Sequence, residues 1–158
     1  MKGDVKDSAV AKVRIGFDGL VHKWYRGPLA KERFENERRV LRHLEKKQCP
    51  FVPRLLEESE EELYLMTSNC GAQAPTISEK KMDELFQELE SFDVRHNDKA
   101  ARNVTYSPQL GRFCLIDFEF ATILSTGEGL EVSDADEEFQ RLRNAGEYSL
   151  DTRAEKNA

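Results

Sequence analysis

His96-Asn-Asp98-Lys-Ala-Ala-Arg-Asn103 and Phe113-Cys-Leu-Ile-Asp117-Phe-Glu-Phe120 are the two stretches whose reading decides the fold. Asp117 stands inside a strongly apolar run, where a carboxylate either caps something or binds a cation, because leaving it alone in the interior is costly. Between the two stretches, Val104-Thr-Tyr, the turn residues Ser107-Pro-Gln-Leu-Gly111 and Phe113 to Phe118 read as a β-hairpin. That hairpin would bring together oxygen donors at 98, 103 and 117. Such a set suits Mg²⁺, which takes one or two carboxylates and completes its shell with water and phosphate oxygens.

Working outward, two more charged residues fall on apolar faces. Glu37 lies three residues after Phe34 and four before Leu41, in the middle of the apolar stripe of a helix expected over Ala30 to Lys47. Lys23 alternates in phase with Val21 and Tyr25 on one side of a strand-like run from Leu20 to Tyr25. A charged side chain beside a core usually snorkels to water, but together the two point to an internal ion pair between strand and helix. His96 is read as a packed residue supporting its loop.

The order of these residues resembles the protein-kinase superfamily. Val21-His-Lys23 is similar to its lysine strand, Glu37 to the partner on the next helix, residues 96–103 to the catalytic loop His-Arg-Asp-x-x-x-x-Asn, and Leu115-Ile-Asp-Phe-Glu119 to the metal-binding Asp-Phe-Gly. The resemblance covers roughly residues 3–124. It implies a minimal two-lobed α+β fold, with a small antiparallel-sheet lobe plus one helix (about 1–67), a hinge at 68–75 and a reduced helical lobe at 76–124. It also implies ATP and Mg²⁺ as cofactors. Lys23 would hold the α- and β-phosphates, Glu37 would orient Lys23, and Asp98 would take the acceptor hydroxyl's proton with Arg102 beside it. Asn103 and Asp117 would hold Mg²⁺, Asn69 and Gly71 would meet adenine, and Ser8 and Val10 would stand at the end of the phosphate-covering loop.

The chain departs from that pattern in several places. The Gly-x-Gly-x-x-Gly loop is missing, Glu119 replaces the glycine of Asp-Phe-Gly, no Ala-Pro-Glu follows, and 41 residues remain after Asp117. Compact relatives acting on small molecules or a single protein partner are therefore the nearer comparison. The expected function is transfer of the γ-phosphoryl group of ATP to a hydroxyl, on a protein or a small molecule. The alternative is a weak or silent kinase-like nucleotide-binding module. A third reading, a metal-dependent phosphoesterase using His96, Asp98 and Asp117, leaves Lys23 and Glu37 unexplained.

The rest of the chain fits one α+β domain. A first hairpin is expected from Ala9 to Tyr25, and a second from Val52–Leu56 and Leu63–Thr67 with the acids 57–62 at its tip. A helix with face Met82, Leu85, Phe86 and Leu89 should follow a capping box at Thr76, and a last short helix should run from Asp134 to Ala145. Charged residues make up 34% of the 158 residues, and no apolar run approaches the ~18 needed to cross a bilayer. Residues 1–54 carry 14 Lys+Arg and 7 Asp+Glu, against 10 and 23 in the remainder, and the basic residues 38, 39, 42, 46 and 47 read mostly as the wet face of a helix. An acidic total without basic-aromatic interleaving argues against nucleic acid. Residues 125–158 carry nine acids, four bases and few apolar residues, as in an accessory or partly disordered tail. Cys49, Cys70 and Cys114, odd in number and widely spaced, read as reduced packing residues of a cytoplasmic protein.

Overall fold

The computed structural model describes residues 5–143. Strands β1 (Val5–Asp7), β2 (Ala11–Ile15) and β3 (Val21–Tyr25) lead into helix α1 (Ala30–Lys46). Strands β4 (Leu55–Ser59), β5 (Tyr64–Thr67) and β6 (Ala72–Gln73) precede helix α2 (Glu79–Glu90). Then come β7 (Val94–His96), a 3₁₀ turn at Ala101–Asn103, β8 (Val104–Ser107), β9 (Arg112–Leu115) and β10 (Ala121–Ile123). A 3₁₀ turn at Val132–Asp134 and a helix over residues 137–143, α3, complete the described chain. The fold is α+β, as expected.

The first five strands form one antiparallel sheet in the order β1-β2-β3-β5-β4. In it Lys23 pairs with Val13 on one side and Leu65 on the other, which fixes the lysine mid-sheet. Helix α1 buries Phe34, Glu37, Val40, Leu41 and Leu44, the stripe expected from their spacing. It stops where Gln48 takes a left-handed conformation, φ 59°. There Cys49 N–H donates to Leu44 O and Gln48 N–H to Glu45 O, each at 3.0 Å, a Schellman ending one residue before Pro50.

Several expectations shift. The strand expected at Val52–Leu56 is β4 at Leu55–Ser59, because Phe51 and Val52 are drawn into the main core instead. Glu57 and Glu58 therefore lie in the strand, where Glu58 pairs with Arg38 and Arg42 of α1. Helix α2 is capped by Ser78, whose hydroxyl accepts from Lys81 N–H at 3.1 Å, so Thr76 is not the cap. The strand expected through Phe118 ends at Leu115, since the chain turns at Asp117. The helix expected from Asp134 starts at 137, with Asp136 Oδ1 accepting from Phe139 N–H at 2.8 Å; its expected end at Ala145 lies outside the described residues.

The main core joins α1 (Val40, Leu41, Leu44) to α2 (Leu85, Phe86, Leu89) through Phe51, Val104, Leu115 and Phe118. A second cluster gathers Val10, Phe120, Ala135 and Phe139, with Leu130, Val132 and Leu142 around it. The part of the acidic segment up to residue 143 is thus packed, as an accessory segment would be rather than a loose tail. Phe139 and Leu142 lie three apart on α3 and face this cluster, with Ala135 just before the helix.

Candidate functional site

Four elements deliver the charged groups. Strand β3 aims Lys23 inward, where Nζ lies 2.9 Å from Glu37 Oε1, 3.2 Å from Asp117 Oδ1 and 3.5 Å from Glu119 Oε2. The strand-to-helix ion pair read from Lys23 and Glu37 is present. Glu37 also accepts from the Tyr25 hydroxyl on Oε1, and its Oε2 accepts from Phe118 N–H at 2.8 Å. Both carboxylate oxygens are thereby engaged, which is what a buried charge requires.

Asp117 is turned out of the apolar run by a left-handed backbone, φ 65°. Non-glycine residues adopt that conformation at a cost of about 1–2 kcal/mol, and short polar side chains tolerate it best. The turn sends the carboxylate toward the cleft, where it keeps 33% of its side-chain exposure, although protein surrounds it on its other sides. Burial opposes ionisation there, yet Lys23 beside it holds the carboxyl well below the usual carboxylate range. Burial likewise opposes the charge on Lys23, but Asp117, Glu119 and Glu37 together hold the ammonium well above its ordinary value. Glu119 goes the other way: burial, reinforced by Asp117 and Glu37, raises its carboxyl despite Lys23 and Arg33. The carboxylates of Glu37, Asp117 and Glu119 lie within 4.8 Å of one another with the Lys23 ammonium among them.

The loop at 96–103 is built around His96. Asp98 N–H donates to His96 Nδ1 at 3.1 Å, so the ring proton is on Nε2, which donates to Ile116 O at 3.0 Å. Both ring nitrogens are committed, which leaves none for a metal and removes the basis of the phosphoesterase reading. Asp98 accepts two bonds from Arg102 Nη2, at 2.8 and 2.9 Å. Asn103, 2% exposed, donates its amide to Asp98 O at 2.8 Å, which leaves its side-chain oxygen to offer to a cation.

Above Asp117 opens a cleft of about 270 Å³. Val13, Ile15 and Val21 of β2 and β3 face Ile116 across it, the segment 68–71 closes one side, and Lys23, Asn103 and Asp117 give it a polar end. Asn69 and Gly71 both line it, and Asn69 Oδ1 accepts from Gly71 N–H at 2.8 Å. Gly71 has φ +91°, and a Cβ there would fall 2.0 Å from Tyr106 O, so only glycine fits.

Ser8 and Val10 stand apart from that cleft. Ser8 Oγ accepts from Val10 and Ala11 N–H in a tight turn, and Val10 is buried against Phe120 and Phe139. Both border a narrower extension under β1 and β2, with Lys23, Asp117 and Glu119.

Four participants escaped the sequence reading. Arg33, fully buried, donates to Val10 O, Arg26 O, Pro28 O and Glu119 Oε2. Asn36 donates to the backbone oxygens of Glu119 and Ala121. Together with Glu37 they bind one face of α1 to residues 118–121; their spacing of 33, 36 and 37 was the available signal. Arg143 reaches Asp98 from α3, and Glu119 joins Lys23 to Arg33.

A five-stranded antiparallel sheet with one helix, a cleft below it and a lysine, glutamate and aspartate meeting at its inner end define a kinase-like fold. No family model matches the chain, and no curated protein matches it in sequence. Among solved structures it is similar to a Rio2 kinase in an ADP/Mg²⁺-phosphoaspartate complex from Chaetomium thermophilum, with a TM-score of 0.54 and 13% identity. The match covers 78% of this chain and 49% of that one, so this chain spans about half the length of its neighbour. The likeness shows the fold.

Among the described residues no helix is long and apolar enough to cross a membrane.

Proposed function

We propose that the protein is an ATP- and Mg²⁺-dependent phosphotransferase that moves the γ-phosphoryl group to a hydroxyl. The observation that carries this reading is the placement of Lys23, 2.9 Å from Glu37 and 3.2 Å from Asp117, at the polar end of a cleft with apolar walls. A planar base fits between Val13, Ile15 and Ile116, against the segment 68–75 acting as the hinge, and its phosphates then extend toward Lys23. Lys23 meets the phosphates, and Glu37, itself fixed by Tyr25 and Phe118, keeps the ammonium in place.

Asp117 and the Asn103 oxygen are hard donors of the kind Mg²⁺ prefers, and Lys23 engages only one Asp117 oxygen, so this set fits the ion. Mg²⁺ held there would neutralise charge on the β- and γ-phosphates. Asp98, oriented by Arg102 and by its own N–H on His96, accepts the proton of the acceptor hydroxyl. That oxygen bonds to the γ-phosphorus, the bond from the γ-phosphorus to the β,γ-bridging oxygen breaks, and ADP departs. The neighbouring Rio2 structure was solved with ADP and Mg²⁺, which agrees with this reading. Free Cys49, Cys70 and Cys114 suit a reducing, cytoplasmic setting. The acceptor is an alcohol on a protein or a small molecule.

Calorimetric titration with ATP, with and without Mg²⁺, tests the reading on wild type and on Asp117→Asn. Metal should strengthen binding to wild type and have no effect on the variant; an equal Mg²⁺ effect in both would move the metal elsewhere. The second reading, a binding module without turnover, is favoured by the glycine-free turn Ser8-Ala9-Val10 between β1 and β2. Metal-dependent binding without turnover on any alcohol tested would select it.

A further inference from the structure

The carboxylate of Asp98 is already full. Arg102 Nη2 donates to Oδ1 at 2.8 Å and to Oδ2 at 2.9 Å, and Asn103 Nδ2 donates to Oδ2 at 3.3 Å. Helix α3 then adds a second guanidinium, with Arg143 Nη2 3.3 Å from Oδ1 and Nη1 3.3 Å from Oδ2. Together these donors take up the roughly four lone-pair positions that a carboxylate offers. The Asp98 side chain is 11% exposed beneath them. A general base must meet its hydroxyl at about 2.6–3.2 Å through a lone pair that is still open. Arg102 and Asn103 belong to the same loop as Asp98, so Arg143 is the donor that can leave.

The hold of α3 on the rest of the chain is small. A helix over residues 137–143 is too short to persist in water by itself, so it exists only while docked. Docking rests on Phe139, fully buried with its ring 5.6 Å from that of Phe120 and 4.7 Å beneath the Arg33 guanidinium, and on Leu142 beside it. That cluster is separate from the main core. Arg143 Nε opposes docking, because it is a buried donor of a charged group with no acceptor among the described residues. A segment held by a few side chains and opposed by a desolvated charge can leave while the rest of the domain stays folded.

We propose that α3 is an autoinhibitory segment: docked, it lays Arg143 across the Asp98 carboxylate and keeps the acceptor hydroxyl away, and phosphoryl transfer requires its release. This rests on the phosphotransferase reading and adds a control to the same site. Arg143 also borders the narrow extension of the cleft that Lys23, Asp117 and Glu119 line, so the docked helix crowds the path between the base and the metal-binding end. The nucleotide pocket between Val13, Ile15 and Ile116 is lined without any residue of α3. Docking therefore acts on the acceptor side and leaves ATP binding open. When α3 leaves, Arg102 remains on Asp98 as its counter-charge, so the base stays oriented and regains lone pairs for the hydroxyl.

The test measures turnover of Mg-ATP on the full chain with water as the acceptor, read as phosphate release, beside Mg-ATP affinity by calorimetry. Arg143→Met keeps the apolar stem and removes the donors. It should raise turnover by about tenfold or more, the gain expected when a competent state populated at about one part in ten becomes dominant, and leave affinity within about twofold. Phe139→Ala keeps the guanidinium and loosens the helix, and should raise turnover in the same direction; if it does not fold, Arg143→Met decides alone. The gain must vanish when Asp98→Asn is added to Arg143→Met, which ties it to the base. Turnover that is unchanged or lower in Arg143→Met would overturn the proposal, as would ATP binding without turnover in wild type and Arg143→Met alike. A wild type and variant that bind no nucleotide would instead overturn the phosphotransferase reading on which the proposal stands.

Discussion

Lys23 Nζ lies 2.9 Å from Glu37 Oε1, and through that contact the central strand of the sheet is fastened to the face of α1. The same ammonium serves Asp117 and Glu119, so it neutralises a group of carboxylates that could not otherwise coexist in the interior.

Replacing it with methionine strands those carboxylates. Lys23→Met should cost about 3 kcal/mol at pH 7, the lower end of what breaking a buried pair costs, as measured by urea unfolding. The loss should shrink as pH falls from neutral toward the ordinary carboxylate range. A carboxyl whose folded pKa is raised, as burial already raises Glu119, favours folding below its unfolded pKa and loses that advantage as pH rises through the folded one. Asp117 in wild type has the opposite sign. Its depressed pKa contributes stability above the unfolded value of about 3.9, and that stability disappears as pH falls further toward the folded one.

Asp98 accepts from Arg102 on both carboxylate oxygens and from Asn103 on its backbone oxygen; an amide keeps the shape and one of the two side-chain acceptors. Asp98→Asn removes basicity with little change of shape. On the phosphotransferase reading, turnover should fall by about 10²-fold or more while ATP affinity stays within about threefold, the pattern of a lost general base. Steady-state kinetics and calorimetry on one preparation separate this from a structural role, in which melting temperature and affinity would fall together.

Phe139 secures α3 in a cluster away from the main core. Phe139→Ala should cost about 3 kcal/mol, the low end for a buried phenylalanine, since its surroundings can partly collapse. Urea unfolding reads the total, and loss of amide protection confined to residues 137–143 would show that the helix undocks before the rest unfolds.

The central ion pair was legible because Lys23 and Glu37 sit on apolar faces, where charge needs a reason. Asp117 was legible for the same cause. Arg33 was not: one residue before Phe34 on a helix rich in wet arginines, its burial depends on Val10 O, Arg26 O, Pro28 O and Glu119, which three separate segments bring to it. Ser78 and Thr76 are chemically alike as caps, and only the packing of α2 chooses between them. Arg143 and Phe139 were hidden by composition, because an acidic stretch with few apolar residues reads as loose until its few apolar side chains are seen to share one face. Val10, placed by its position in the chain at the end of the phosphate-covering loop, packs against Phe120 and Phe139 and also borders the extension of the cleft.

Glu119 has a consequence for how such a sequence can drift. Its carboxylate is the one acidic partner that Arg33 meets among the described residues, 3.2 Å away, with the Arg33 side chain fully buried. A glycine at 119 would leave a fully enclosed guanidinium without a counter-charge, and a small side chain at 33 would leave Glu119 leaning on Lys23 alone. Each change alone strands a buried charged group, so the two positions are expected to change together rather than singly.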